Sequence, residues 1–144
     1  MISVNDKNLF TLEIPGEPHA LSKARSFACE VACQVGFTES EVNKIEIAVD
    51  EACSNIMEHG YADLSPKPVI HIQIRIEKRT IMIELIDHGK TFDYDGYAAP
   101  TFPDHWEKGN TRGVGLFLIR QCMDKVSYRG STGASNCLRM VKRR

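Results

Sequence analysis

Two isoleucine-rich runs, Val69 to Glu77 and Thr80 to Asp87, are separated only by Lys78-Arg79, and this spacing constrains the fold more than any other feature of the chain. Each run alternates apolar and polar residues with the period of a strand that buries one face. A two-residue connection leaves no room for a crossover, so the runs must pair as an antiparallel hairpin. A parallel doubly wound sheet, whose strands are separated by helices, is excluded for this part of the chain.

The segments around the hairpin supply the second layer. Asn8 to Ile14 reads as a strand closed by Pro15-Gly16. From about Pro18 to Val35, residues Leu21, Ala24, Ala28, Ala32 and Val35 recur at helical spacing, and Gly36 is placed to end that helix. A second helix opens on Thr38-Glu39-Ser40-Glu41, a capping box. Its apolar residues Val42, Ile45, Val49, Ala52 and Ile56 fall within roughly 80° of arc, a stripe suited to a sheet, and Gly60 supplies the stop. From Lys90 to Arg112 periodicity vanishes, leaving a loop longer than a compact domain keeps without functional cause. A third helix is expected from about Gly115 to Asp124, then strands Val126 to Arg129 and Asn136 to Lys142 around Gly130 to Gly133. The order predicts an α+β two-layer sandwich, mainly antiparallel, with helices on one face of the sheet. At 144 residues the chain is expected to be a single domain, 1–144.

Charge and composition narrow the function. Apolar residues make up 42% and charged residues 26%, the balance of a globular protein. The net charge of −1 is dispersed, so no basic footprint for direct nucleic-acid binding exists. The N-terminal MISVNDKNLFTLEI lacks a basic stretch followed by an apolar one, and no long apolar run suggests a membrane span, which makes a cytoplasmic location the expectation. The five cysteines, Cys29, Cys33, Cys53, Cys122 and Cys137, lie mostly in apolar segments and read as free thiols.

Three clusters carry candidate chemistry. Glu51 and Asn55 sit four apart on the second helix and share an edge away from the Val49 stripe. A carboxylate there can orient or deprotonate a hydroxyl, and an amide oxygen is a hard ligand suited to Mg²⁺. An isolated pair of this kind is more often a solvated helix edge. Asp87-His88-Gly89 ends a hydrophobic strand in a carboxylate able to accept from an exocyclic amino group, followed by a glycine that permits close approach to the backbone. Alone, it is an ordinary strand-end turn. Arg112-Gly113-Val114-Gly115-Leu116 places two glycines before a helix, where free N–H groups and the helix dipole can hold phosphates, although it fits neither G-x-G-x-x-G nor the Walker pattern.

Taken in this order, these clusters resemble the ATP-binding domain of the GHKL or Bergerat superfamily of ATPases and histidine kinases. More narrowly, EIAVDEACSNIMEHGY, DHGKTFD and RGVGLFLIRQCMDKVSY resemble the stand-alone anti-sigma-factor serine/threonine kinases of bacterial partner switching, the RsbW type. The resemblance spans nearly the whole chain. It implies ATP and Mg²⁺ as cofactors, Glu51 as general base, Asn55 as the Mg²⁺ ligand, and Asp87 as reader of the adenine amino group. It further implies that Gly89 lets the base lie against the strand end, that Thr111, Arg112, Gly113, Val114, Gly115 and Leu116 meet the nucleotide, and that Phe102 to Thr111 forms a lid. Arg25 matches an arginine that contacts protein partners, namely an anti-anti-sigma (STAS) protein and a sigma factor. Homodimerisation through the open edge of the first strand is also implied. Three departures stand out: Asp87-His88-Gly89-Lys90 lacks the second glycine of the histidine kinases, the roughly seven residues before the first expected strand are too few for a histidine-bearing dimerisation helix, so none is expected there, and Asn136 stands where a threonine is usual. The competing reading is an ATP-gated protein-binding switch without kinase activity.

Overall fold

A computed structural model describes residues 2–6, 8–92, 111–130 and 134–144. Residues 102–110 of the expected lid and Gly133 of the last turn lie outside them. Six strands form one sheet: β1 (Ile2–Asp6), β2 (Leu9–Ile14), β3 (Ile70–Glu77), β4 (Thr80–Asp87), β5 (Lys125–Arg129) and β6 (Asn136–Arg143). Their order is β1-β2-β3-β4-β6-β5, and every neighbouring pair is antiparallel. In the β3–β4 hairpin Glu77 stands opposite Thr80, with Lys78 at φ 55°, the two-residue turn that the spacing requires.

Strand β1 is absent from the sequence reading because ISVND is only five residues long, with two apolar positions. Its presence corrects the expected dimer edge. The strand read as first, β2, pairs with β1 on one side and β3 on the other, so the outer edge of the sheet belongs to β1.

Among the described residues, three helices cover one face. A short 3-10 turn, Pro18–Ala20, leads into α1 (Leu21–Val35), which Gly36 ends. The helix α2 (Glu39–Asn55) opens on the expected capping box: Glu41 N–H donates to Thr38 Oγ1 at 3.2 Å, and Thr38 N–H donates to Glu41 Oε1 at 2.9 Å. It widens into a π turn, Ile56–Gly60, so the rod does stop at Gly60. The helix α3 (Thr111–Cys122) starts before its expected position, which places Gly113 and Gly115 inside the helix rather than ahead of it.

Alternation in the strands decides which face the helices take. Ile72, Ile74, Ile81, Ile83 and Leu85 point inward and are fully buried, packed in one cluster with Phe27, Ile45 and Ile119 of the three helices. Each such isoleucine contributes about 1.5–3 kcal/mol by leaving water. Their strand neighbours His71, Gln73 and Glu84 stay partly exposed on the opposite face. The sandwich brings the end of α2, the end of β4 and the first half of α3 to one region of the molecule. No helix among the described residues is long and apolar enough to cross a membrane.

Candidate functional site

The inward alternation of β4 ends on Asp87, only 5% exposed. A buried carboxylate must find donors, and it finds two on one oxygen: Gly89 N–H at 2.8 Å and Asn136 Nδ2 at 3.0 Å, both to Oδ1. No hydrogen bond among the described residues falls on Oδ2. Asn136, fully buried at the start of β6, also donates to Gly89 O at 2.9 Å and accepts from Thr91 Oγ1 at 3.0 Å. The antiparallel register sets this up, since Asp87 and Asn136 are direct cross-strand partners.

Tyr61 props the same strand end from below. Its hydroxyl accepts from His88 N–H at 3.1 Å and donates to Val69 O at 3.0 Å. Burial pushes this phenol up to about 12, which keeps the donor in place. Gly89 is a requirement of that packing: a β-carbon there would stand 2.5 Å from Gly60 O and 2.7 Å from the Tyr61 ring. The close approach expected at Gly89 is therefore made by the Gly60-Tyr61 backbone and ring, and Lys90 N–H fastens it by donating to Gly60 O at 3.0 Å.

Glu51 and Asn55 meet the third cluster at Gly115. A β-carbon on Gly115 would stand 3.1 Å from Glu51 Oε2 and 3.2 Å from both amide atoms of Asn55. α3 thus crosses α2 with its glycine against the acid and the amide. Residues Thr111, Arg112, Gly113 and Val114 form the first turn of α3, the part of a helix where free N–H groups are found. Glu51 has its pKa raised, first by desolvation and then by the nearby charges of Asp50 and Glu58. A carboxylate held above its ordinary range is better matched to taking a proton near neutral pH.

Between these groups lies a mainly apolar cleft walled by Asn55, Asp87, Lys90, Leu116, Tyr128 and Leu138. Phe92 N–H donates to the Tyr128 hydroxyl at 3.0 Å, and the two rings stand edge to face at 6.1 Å. An aromatic and aliphatic cleft ending in one aspartate suits a flat heterocycle with an exocyclic amino group. Arg25 stands apart from the cleft, paired through Nη1 with Asp50 Oδ1 at 2.6 Å.

The profile of the histidine kinase-like ATPase domain matches residues 14–142. A serine-protein kinase RsbW of Oceanobacillus iheyensis is 32% identical over 126 residues, 85% of this chain and 79% of that protein. Counterparts in Bacillus velezensis and Bacillus subtilis are 28% and 26% identical, covering 86% and 91% of this chain and 79% and 84% of theirs. The chain belongs to the RsbW family of serine-protein kinases. A crystal structure of RsbU and RsbW domains from Mycobacterium tuberculosis superposes with a TM-score of 0.64 at 19% identity, over 92% of this chain and 32% of that longer one. That likeness shows a shared fold.

Within the RsbW frame, Asn136 gains a role that its departure from the usual threonine hid: it ties Asp87, Gly89 and Thr91 together. The signal was present in β6, where Asn136 and Lys142 occupy buried positions of an alternating strand. Polar residues at inward positions need partners. Lys142 finds its partner in Cys122 O, at 2.8 Å, and so closes the C-terminal end of α3. Tyr61, part of the HGY run after Asn55, is the other supporting residue that the sequence reading left without a task.

Proposed function

We infer that this chain binds Mg·ATP in the cleft beside Asp87 and transfers phosphate to a serine or threonine of an anti-anti-sigma (STAS) protein, alternating with sequestration of a sigma factor. The observation that carries this reading is the convergence at Gly115, where a β-carbon would fill the space beside Glu51 and Asn55. A glycine kept inside a helix costs about 1 kcal/mol relative to alanine, and an open space between an acid and an amide is a reason to keep it.

The residues fit the cofactor. Asp87 Oδ2 would accept from the adenine amino group, with Tyr128, Leu116 and Leu138 enclosing the ring. Asn55 would hold Mg²⁺ through its amide oxygen, a ligand type that metal prefers. The first turn of α3, from Thr111 to Val114, would present its N–H groups to phosphate oxygens, with Gly115 and Leu116 against the nucleotide. When bound, Mg·ATP supplies the transferable phosphoryl group and a metal that neutralises its charge. Glu51 would receive the proton of the attacking hydroxyl, Arg25 would contact the protein partner, and the partners would be met in the cytoplasm by a homodimer.

The test is incubation with ATP, Mg²⁺ and a purified anti-anti-sigma protein, followed by intact mass. A gain of one phosphate by the partner, abolished in Glu51→Ala with partner binding retained, is the expected result. Tight ATP binding and partner exchange without any mass gain would support the nucleotide-gated switch instead.

A further inference from the structure

The helix-free face of the sheet carries a cluster of side chains that phosphoryl transfer does not use. Glu13 on β2 and His71 on β3 are direct cross-strand partners, and the alternation that turns Ile14 and Ile70 inward turns both of them outward. Their side chains meet, with His71 Nδ1 standing 3.0 Å from Glu13 Oε1. A ring nitrogen that close to a carboxylate carries the proton, so in the neutral imidazole Nε2 keeps its lone pair. Beside this ring stands His88, one residue past the end of β4, with ring centroids 5.9 Å apart and the planes at 89°. The His88 backbone is fixed by its N–H, which donates to the Tyr61 hydroxyl, while its side chain is exposed.

We propose that His71 and His88 bind one Zn²⁺ ion through two imidazole nitrogens, with Glu13 orienting His71 from behind and water completing the coordination. A carboxylate on the far nitrogen of a ligating histidine fixes the tautomer and the ring, and it makes the ligating nitrogen more basic. Zn–N bonds of about 2.0–2.1 Å put the centroids of two imidazoles on one ion about 5–6 Å apart. The pair already has that separation. Only one ring has to turn for both nitrogens to meet, and the exposed ring of His88 can do so without disturbing the core. No group of three or more His, Cys, Asp or Glu among the described residues can enclose an ion, so the site is open, with two protein ligands and an exchangeable metal. Four of the five thiols compete poorly for zinc, which takes the thiolate. Hydrogen bonding to Glu46 pushes Cys29 up to about 12, and desolvation pushes Cys53 up to about 12, Cys137 up to about 11 and Cys122 upward as well. The ion lies behind Asp87, on the opposite face of the strand end from the nucleotide cleft, whose lining includes neither histidine.

The experiment titrates ZnCl₂ alone into the full chain, without nucleotide, carrying Cys33→Ser because Cys33 is the exposed thiol. Calorimetry should give one ion per chain with a Kd below about 1 mM. The imidazole NMR spectrum should move for two of the five histidines, His71 and His88. His71→Gln and His88→Gln should each abolish binding, and Glu13→Gln should weaken it at least about tenfold. Binding weaker than about 1 mM, or a Kd unchanged in both glutamine variants of the histidines, would overturn the proposal. So would a spectrum in which other histidines move instead, a readout taken on the intact pair and therefore decisive even where a variant fails to fold.

Discussion

Glu51 must be ionised to accept a proton, and its surroundings oppose that ionisation. Desolvation and the charges of Asp50 and Glu58 raise its pKa, so folding favours the protonated form relative to the unfolded chain. A carboxyl raised on folding lends stability below its unfolded pKa and loses that contribution as pH climbs through the folded value. Glu51→Gln, which mimics the protonated form, should therefore melt higher than the parent at pH 7 and no higher at pH 4, while phosphoryl transfer falls at least about 100-fold. Thermal unfolding at the two pH values checks the first half and a transfer assay the second. Asn136 presents the opposite case, a residue whose loss should harm stability and binding together. Asn136→Ala removes one of the two donors to Asp87 Oδ1, leaving it Gly89 N–H, and removes the side-chain donor to Gly89 O. A loss of about 2 kcal/mol in urea unfolding and about tenfold in ATP affinity is expected. Unaltered ATP affinity in a destabilised variant would show that Asn136 serves the fold alone.

At the scale of elements, the start of α2 was readable and the start of α3 was not, for a physical reason visible in their first turns. Thr38 and Glu41 cap α2 locally, so its start is written in adjacent residues. The start of α3 contains Gly113 and Gly115, whose weak helix propensity argues for a loop, and packing against α2 overrides that preference. The same conflict yields a sharp prediction. Gly115→Ala should favour the helix by up to about 1 kcal/mol, yet its β-carbon would press on Glu51 and Asn55 from 3.1–3.2 Å. Stability near or above that of the parent, with transfer reduced at least tenfold, is the expected pair of measurements. A variant that is as active as the parent would mean that the space beside these two side chains is not used.

Across the whole molecule, the sheet shows why the site could be named from sequence but not assembled from it. The hairpin β3–β4 is local, and its partner strands and turn follow from neighbouring residues. The bond between Asp87 and Asn136 spans 49 positions and depends on the register of β4 against β6, for which no short pattern stands. The pairing of β1 with β2 escaped for a simpler reason, since ISVND is five residues long with only two apolar positions. Convergence of α2, β4 and α3 on one cleft is accordingly a property of the entire fold, and its use by a nucleotide is testable as one. Mg·ATP at 100 times its Kd should add about 2.7 kcal/mol, roughly 8 °C in melting temperature for a chain of this size. In Asn55→Ala the shift with Mg·ATP should shrink to that seen with ATP and EDTA, because only the metal's share passes through the amide. In Asp87→Ala both shifts should vanish, each judged against that variant's own ligand-free melting point, since the aspartate also anchors Gly89 and Asn136. A metal-dependent increment that persists without Asn55, or a full shift that persists without Asp87, would place the nucleotide somewhere other than between these three elements.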